Sequence, residues 1–201
     1  MSAFLGPIHH WLYNKIRLQD QLTQEMLQFA DKEGLTNVRE SVDSTYGKMP
    51  EGNLEDLIDE NNIHGWLQGK ITLVENRFAA VVTAILAQKP EAKEAMGLLA
   101  YDFGQSHSAL TGENNAKDAY QLLNDSLIDG MPCDHVNMLI SAEDDRVEWK
   151  RTQCVHAPYW TANEGDISVY YELRNQLVAG MLAASGLKLI ADAEGNYVIS
   201  K

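Results

Sequence analysis

Cysteine is nearly missing from this chain of 201 residues: only Cys133 and Cys154 occur, too few for a disulfide-stapled scaffold, though one bridge is available to them. Basic charge is also scarce. Sixteen Lys and Arg against 29 Asp and Glu give a formal net charge of -13, which repels nucleic acid and anionic membrane surfaces unless a basic patch overrides it. No such patch occurs in the sequence. The N-terminus has neither a basic leader nor a long apolar run, and no later stretch reaches the ~18 uninterrupted apolar residues of a membrane span. The expected address is therefore the cytoplasm. Gly-rich phosphate loops, a G-x-S-x-G elbow, an H-E-x-x-H helix and a dinucleotide fingerprint are likewise missing, which disfavours the common hydrolases and nucleotide enzymes.

What is present is a repeated phrase. Ile8-His9-His10-Trp11-Leu12-Tyr13-Asn14-Lys15-Ile16-Arg17-Leu18 returns 55 positions later as Ile63-His64-Gly65-Trp66-Leu67-Gln68-Gly69-Lys70-Ile71-Thr72-Leu73, with seven of eleven positions identical. The shared pattern, I-H-x-W-L-x-x-K-I-x-L, points to an internal duplication. Each copy opens at a helix start, Gly6-Pro7 in one case and Asn61-Asn62 in the other. At 100° per residue the Ile and Leu positions form one apolar stripe flanked by Trp and His.

Helical spacing runs on to Phe29 and Gly34 in the first copy and to Lys89-Pro90 in the second. Further helices are expected from Val38 to Tyr46, Leu54 to Glu60, Glu91 to Leu110 and Asn114 to Leu127. After Pro132 the period changes to two. His135–Ile140 and Val147–Thr152 read as a hairpin about the polar turn 142–145. A helix from Asp166 to Ser185 and two last strands, 187–190 and 197–199, follow. The fold class expected is α+β, mainly α: a pseudo-twofold helical bundle over 1–128, with repeat units about 6–60 and 61–112. A small antiparallel β-sheet with a packed C-terminal helix completes it over 129–201, expected to pack on the bundle as one domain.

Two constellations suggest metal chemistry. His9 and His64 each precede an acidic residue by eleven positions, Asp20 and Glu75. A rise of ~1.5 Å per residue puts about 16 Å between them on one helix. Antiparallel docking of the two motif helices would instead bring His9 to Glu75 and His64 to Asp20, ligand types that hold zinc or iron in bundle cores. The second constellation is a pair of C-x-H triplets, Cys133-Asp134-His135 and Cys154-Val155-His156. A hairpin centred between 143 and 144, or between 144 and 145, puts all four groups on one face as a Cys2His2 zinc site. Competing readings are a cysteine activated by histidine, a disulfide, and ordinary buried thiols.

Lys15 and Lys70 fall near the centre of the apolar stripe, where an ammonium needs an anion. Asp20, Glu75 or a bound acidic ligand could supply it. Trp11, Trp66 and Tyr159 are bulky enough to line an apolar ligand pocket. The function expected is thus a metal-binding protein or metal-dependent enzyme. The alternative is a non-catalytic module that binds a small molecule or another protein, with the repeated motif structural. A small-molecule ligand and a second copy of the chain are the partners to look for, with nucleic acid and membrane set aside.

Overall fold

In a computed structural model, residues 5–192 and 194–201 are described. The chain is α+β and mainly α, built from eight α-helices and a four-stranded antiparallel sheet among the described residues. The helices are α1 (Pro7–Lys32), α2 (Val38–Tyr46), α3 (Leu54–Leu57), α4 (Ile63–Gln88), α5 (Lys93–Ser106), α6 (Ala116–Ser126), α7 (Ala157–Ala162) and α8 (Ile167–Leu182). The strands are β1 (Asn137–Ala142), β2 (Arg146–Arg151), β3 (Lys188–Ala191) and β4 (Asn196–Ser200).

The two motif helices are both 26 residues long and begin where the sequence indicates. Pro7 occupies the first turn of α1, where its missing N–H costs nothing. The Asn62 side chain caps α4 by accepting from the Gly65 N–H at 3.1 Å. Proline at 90 closes α4, as its lack of a donor requires. By length and apolarity α4 could cross a membrane, but half of its most apolar window is buried, and it packs as the central helix of the core.

α1 and α4 lie parallel. His9 meets His64 at their N-terminal ends, while Glu33 pairs with Lys89 and the Thr36 N–H donates to Gln88 at their C-terminal ends. The chain between them, through α2 and α3, is long enough to return to the starting end, so nothing forces a hairpin arrangement. The likeness of the two halves stops at these helices: the first copy is followed by α2, which packs on α4, and the second by α5, which packs on α8.

The contact of α5 with α8 brings backbone against backbone. A Cβ at Gly104 would lie 2.1 Å from the Leu177 carbonyl oxygen, and one at Gly180 would lie 2.0 Å from that of Tyr101. Only hydrogen fits at either crossing point. The same approach seats α8 in a core shared by α1, α4, α5, α6 and the sheet, with Phe78, Trp160 and Tyr170 meeting edge to face.

Sheet order is β1-β2-β4-β3, every neighbour antiparallel. Val147, Trp149 and Ile199 point inward and are buried against the helices. At the hairpin turn Ala142 faces Val147, one of the two expected registers. A bulge between Leu139 and Ser141 then shifts the ladder, so that Met138 faces Lys150 and Asn137 faces Arg151. Because side chains alternate, that one extra residue turns the start of β1 over. Asn137 points in, and Met138, expected on the apolar face with Trp149, points out.

Candidate functional site

The interior junction between the helices and the sheet carries charge. Glu75 comes from the middle of α4, Asp129 from the loop after α6, His156 from the residue that opens α7, and Tyr170 and Arg174 from successive turns of α8. The His156 Nδ1 lies 2.9 Å from Glu75 Oε1. Its Nε2 lies 3.1 Å from Tyr170 Oη and 3.4 Å from Asp129 Oδ1. Arg174 donates to Asp129 Oδ2 at 2.8 Å, to Tyr170 Oη at 3.0 Å and to the Ile128 carbonyl at 3.1 Å. Asn137 donates to Asp129 Oδ2 at 2.8 Å. Two carboxylates thus alternate with two cations in one chain of hydrogen bonds.

The electrostatics follow from that order. Burial disfavours the charge on His156, but Glu75 and Asp129 outweigh it and hold the imidazolium up to about 9. Burial likewise works against the Asp129 carboxylate, yet Arg174 and His156 keep it well below the usual range. Tyr170 is pushed far up by burial and stays a neutral phenol. At neutral pH His156 is a charged donor at both nitrogens, which removes it as a general base.

Against this geometry the metal reading is corrected. Among the described residues no three His, Cys, Asp or Glu side chains come together to hold an ion. His9 does approach a repeat partner, but it is His64, Nε2 to Nε2 at 3.4 Å, because the helices run parallel. Asp20 and Glu75 lie farther along. Asp20 is near Arg77 and Arg17, its pKa raised by burial, and Glu75 takes His156. The second set disperses because the strands end early. Cys133 sits in a 3-10 turn over Pro132–Asp134, His135 follows in a left-handed conformation, and Cys154 lies beyond β2. His156 is turned into the core, so its two nitrogens reach carboxylates on opposite sides of the ring and cannot converge on one ion with them.

Both cysteines are free and exposed. Burial would raise the Cys154 thiol, but the Tyr171 hydroxyl, donating at 2.9 Å, and nearby backbone N–H groups lower it. No Cys154–His156 dyad forms, since both imidazole nitrogens are engaged elsewhere.

The lysines of the repeat behave alike without an internal carboxylate. Lys15 Nζ lies 3.9 Å above the Trp11 ring and Lys70 Nζ 5.0 Å from that of Trp66, one helical turn along in each case. Lys15 is buried, which drives its pKa down to about 8, with Asp129 opposing the shift. Trp11 donates to Asp125 at 2.7 Å and Trp66 leans on Tyr13. Tyr159 stands on α7, its carbonyl accepting from Asn163.

Above the charge network lies a cleft the sequence did not mark. α6 and α8 form one wall and the inner face of the sheet the other, and the largely buried Asp129 and Arg174 line its floor. Its enclosed space is small, about 30 Å³, and the groove is otherwise open to solvent. Its aromatic wall is continuous: Tyr120 leans on Trp149 with ring centres 5.1 Å apart, and Trp149 stacks on Tyr197 at 5.3 Å and 10°. At the mouth, the Arg151 guanidinium lies 4.0 Å from the Tyr171 ring centre and 5.1 Å from that of Tyr197.

Four of the six arginines are ion-paired, Arg39, Arg77, Arg146 and Arg174. Arg17 donates to the Gly52 carbonyl. Among the described residues the Arg151 side chain has no hydrogen bond or ion pair, in a chain where acids outnumber bases. Comparisons with family models, with curated proteins and with solved structures found no match to this chain.

Proposed function

We propose that the protein binds a small, flat anion, such as an aromatic carboxylate, in the cleft between α6, α8 and the sheet, and that it works by binding rather than by covalent chemistry. Arg151 carries the reading: a guanidinium flanked by aromatic rings at the mouth of a groove, with no hydrogen-bond acceptor among the described residues. Such a group pairs with a carboxylate or phosphate through two parallel hydrogen bonds. The stacked Trp149 and Tyr197 give the groove an apolar side for the ligand's ring to lie against, and Asn124 and Asn175 line the groove with side-chain amides that can fix orientation.

The enclosed floor is too small for a ring, so the ligand lies across the open mouth with its anionic group at Arg151; the buried Asp129 and Arg174 are neutralised by each other, leaving Arg151 as the uncompensated charge. A binding role is also supported by the state of the nearby titratable groups. His156 is saturated by its partners, and the exposed Cys154 thiol has no free base beside it.

Calorimetric titration with benzoate and with its neutral isostere benzamide tests the proposal. Benzoate should bind and benzamide should not. A charge-assisted hydrogen bond contributes about 1.5–3 kcal/mol, so Arg151→Met should weaken benzoate by about tenfold or more. Equal affinity for the two probes, or binding untouched by Arg151→Met, would remove the reading.

A further inference from the structure

The sheet has two unlike edges. β3 is four residues long and opens with Lys188, a short charged strand of the kind that discourages pairing with another chain. β1 is six residues long, Asn137-Met138-Leu139-Ile140-Ser141-Ala142, with neither charge nor proline. Among the described residues nothing bonds to its outer side. Met138, Leu139 and Ile140 are 52%, 49% and 53% exposed, three of six large apolar side chains left so open among the described residues. The bulge, which in many edge strands turns the ladder away from visitors, here puts Ile140 on the surface beside Met138.

We propose that β1 pairs edge to edge, antiparallel about a two-fold axis, with β1 of a second copy of this chain, joining two four-stranded sheets into one of eight strands. The charge pattern along the edge selects this occupant. The far end of β1 runs into the exposed acidic turn Glu143-Asp144-Asp145, where Asp144 pairs with Lys117 and Glu143 and Asp145 form no ion pair among the described residues, and its near end follows exposed His135 and lies beside Lys150. Asp134 at the near end is turned back to accept from the Met131 N–H at 2.8 Å.

Antiparallel pairing lays the acidic turn of each copy along the His135 and Lys150 end of the other, while parallel pairing would set acid against acid. The strand itself is neutral, so this is a place where two chains of net charge -13 can touch without opposing like charges. A two-fold contact is also closed: it consumes both edges and stops at the dimer. A six-residue edge falls short of the ~800 Å² per partner of a standard stable interface, so a concentration-dependent dimer in the micromolar range is expected.

Sedimentation of the full chain from 1 µM to 500 µM, roughly the span over which a small interface of this type assembles, should show a monomer passing into a dimer. Leu139→Lys with Ile140→Lys should shift that transition by tenfold or more, and Ile190→Lys on the other edge should leave it in place. A monomer throughout, a transition unmoved by the β1 substitutions, or growth past the dimer would each overturn the proposal. Cross-linking supplies an independent reading with Cys133→Ser and Cys154→Ser in place. Leu139→Cys, beside the two-fold axis, should oxidise to a linked dimer. Ala142→Cys, several residues from its symmetry mate, should not, and the reverse pattern would reject this register.

Discussion

Glu75 Oε1 and His156 Nδ1, 81 positions apart in the chain, meet at 2.9 Å in the interior with both side chains all but closed to solvent. The pair joins the central helix α4 to the element that opens α7, and Asp129 and Arg174 extend it to the sheet and α8. A buried charge that loses its partner is costly, by about 3–5 kcal/mol. Glu75→Ala should therefore destabilise strongly, while Glu75→Gln with His156→Gln should recover part of the loss because no charge is left alone. Urea denaturation of the two variants beside the parent chain checks this, and equal midpoints for all would contradict it.

The pH dependence has a specific shape. His156 is held at about 9 against a usual 6.5. Its contribution is complete below pH 6.5 and is lost as pH rises toward 9, because there the folded state holds a proton the unfolded chain has released. Lys15 is depressed to about 8 against 10.5, so between those values the unfolded chain holds the extra proton and stability rises with pH. At ~1.36 kcal/mol per unit, stability should fall by about 2 kcal/mol from pH 6.5 to 8. It should then level off between 8 and 9, where the two slopes oppose, and recover above. Urea midpoints across pH 6 to 10 test the curve, and a flat profile would contradict both assignments.

Removing Lys15 isolates its share. Lys15→Met should stabilise at pH 7, by about 1–3 kcal/mol, since an apolar side chain replaces an ammonium that burial penalises. The gain should shrink as pH rises from 8 and vanish above 10.5, where the lysine becomes neutral in both states. A loss of stability at pH 7 would mean that the Trp11 face outweighs the cost of burial.

The crossing of α5 and α8 tolerates no side chain at two points. Gly104→Ala or Gly180→Ala places a methyl against a backbone carbonyl and should cost about 1–3 kcal/mol or more. Gly69→Ala, which meets nothing within 4 Å, should instead be neutral or slightly stabilising in its helix. Thermal unfolding of the three distinguishes the positions.

Much of the fold could be read from spacing because its signals are local. Pro7, Asn62 and Pro90 mark helix ends, and the period-two segments after Pro132 mark strands. Direction was not legible: nothing in the repeated motif says whether α1 and α4 run parallel, and that choice alone decides whether His9 meets Glu75 or His64. The bulge at Ile140 was equally silent, since a single extra residue leaves the apolar alternation of β1 looking regular while turning its start over. Of the buried network, Glu75 and His156 stand out by residue type, but their spacing places them in different clusters, the helical motif and the C-x-H pair. Arg174 did carry a signal, an arginine one turn beyond Tyr170 on the apolar stripe of α8, as odd there as Lys15 is on α1. Arg151 had none, because its lack of a partner is a property of three-dimensional packing.

The side-chain Nε–Hε resonance of Arg151, followed by NMR during a benzoate titration, tests the binding account most directly. The account predicts a saturable shift of that resonance, together with the Trp149 indole signal, and no comparable change at the ion-paired Arg39 or Arg146. Shifts spread evenly over the arginines, or confined to residues outside the cleft, would contradict it.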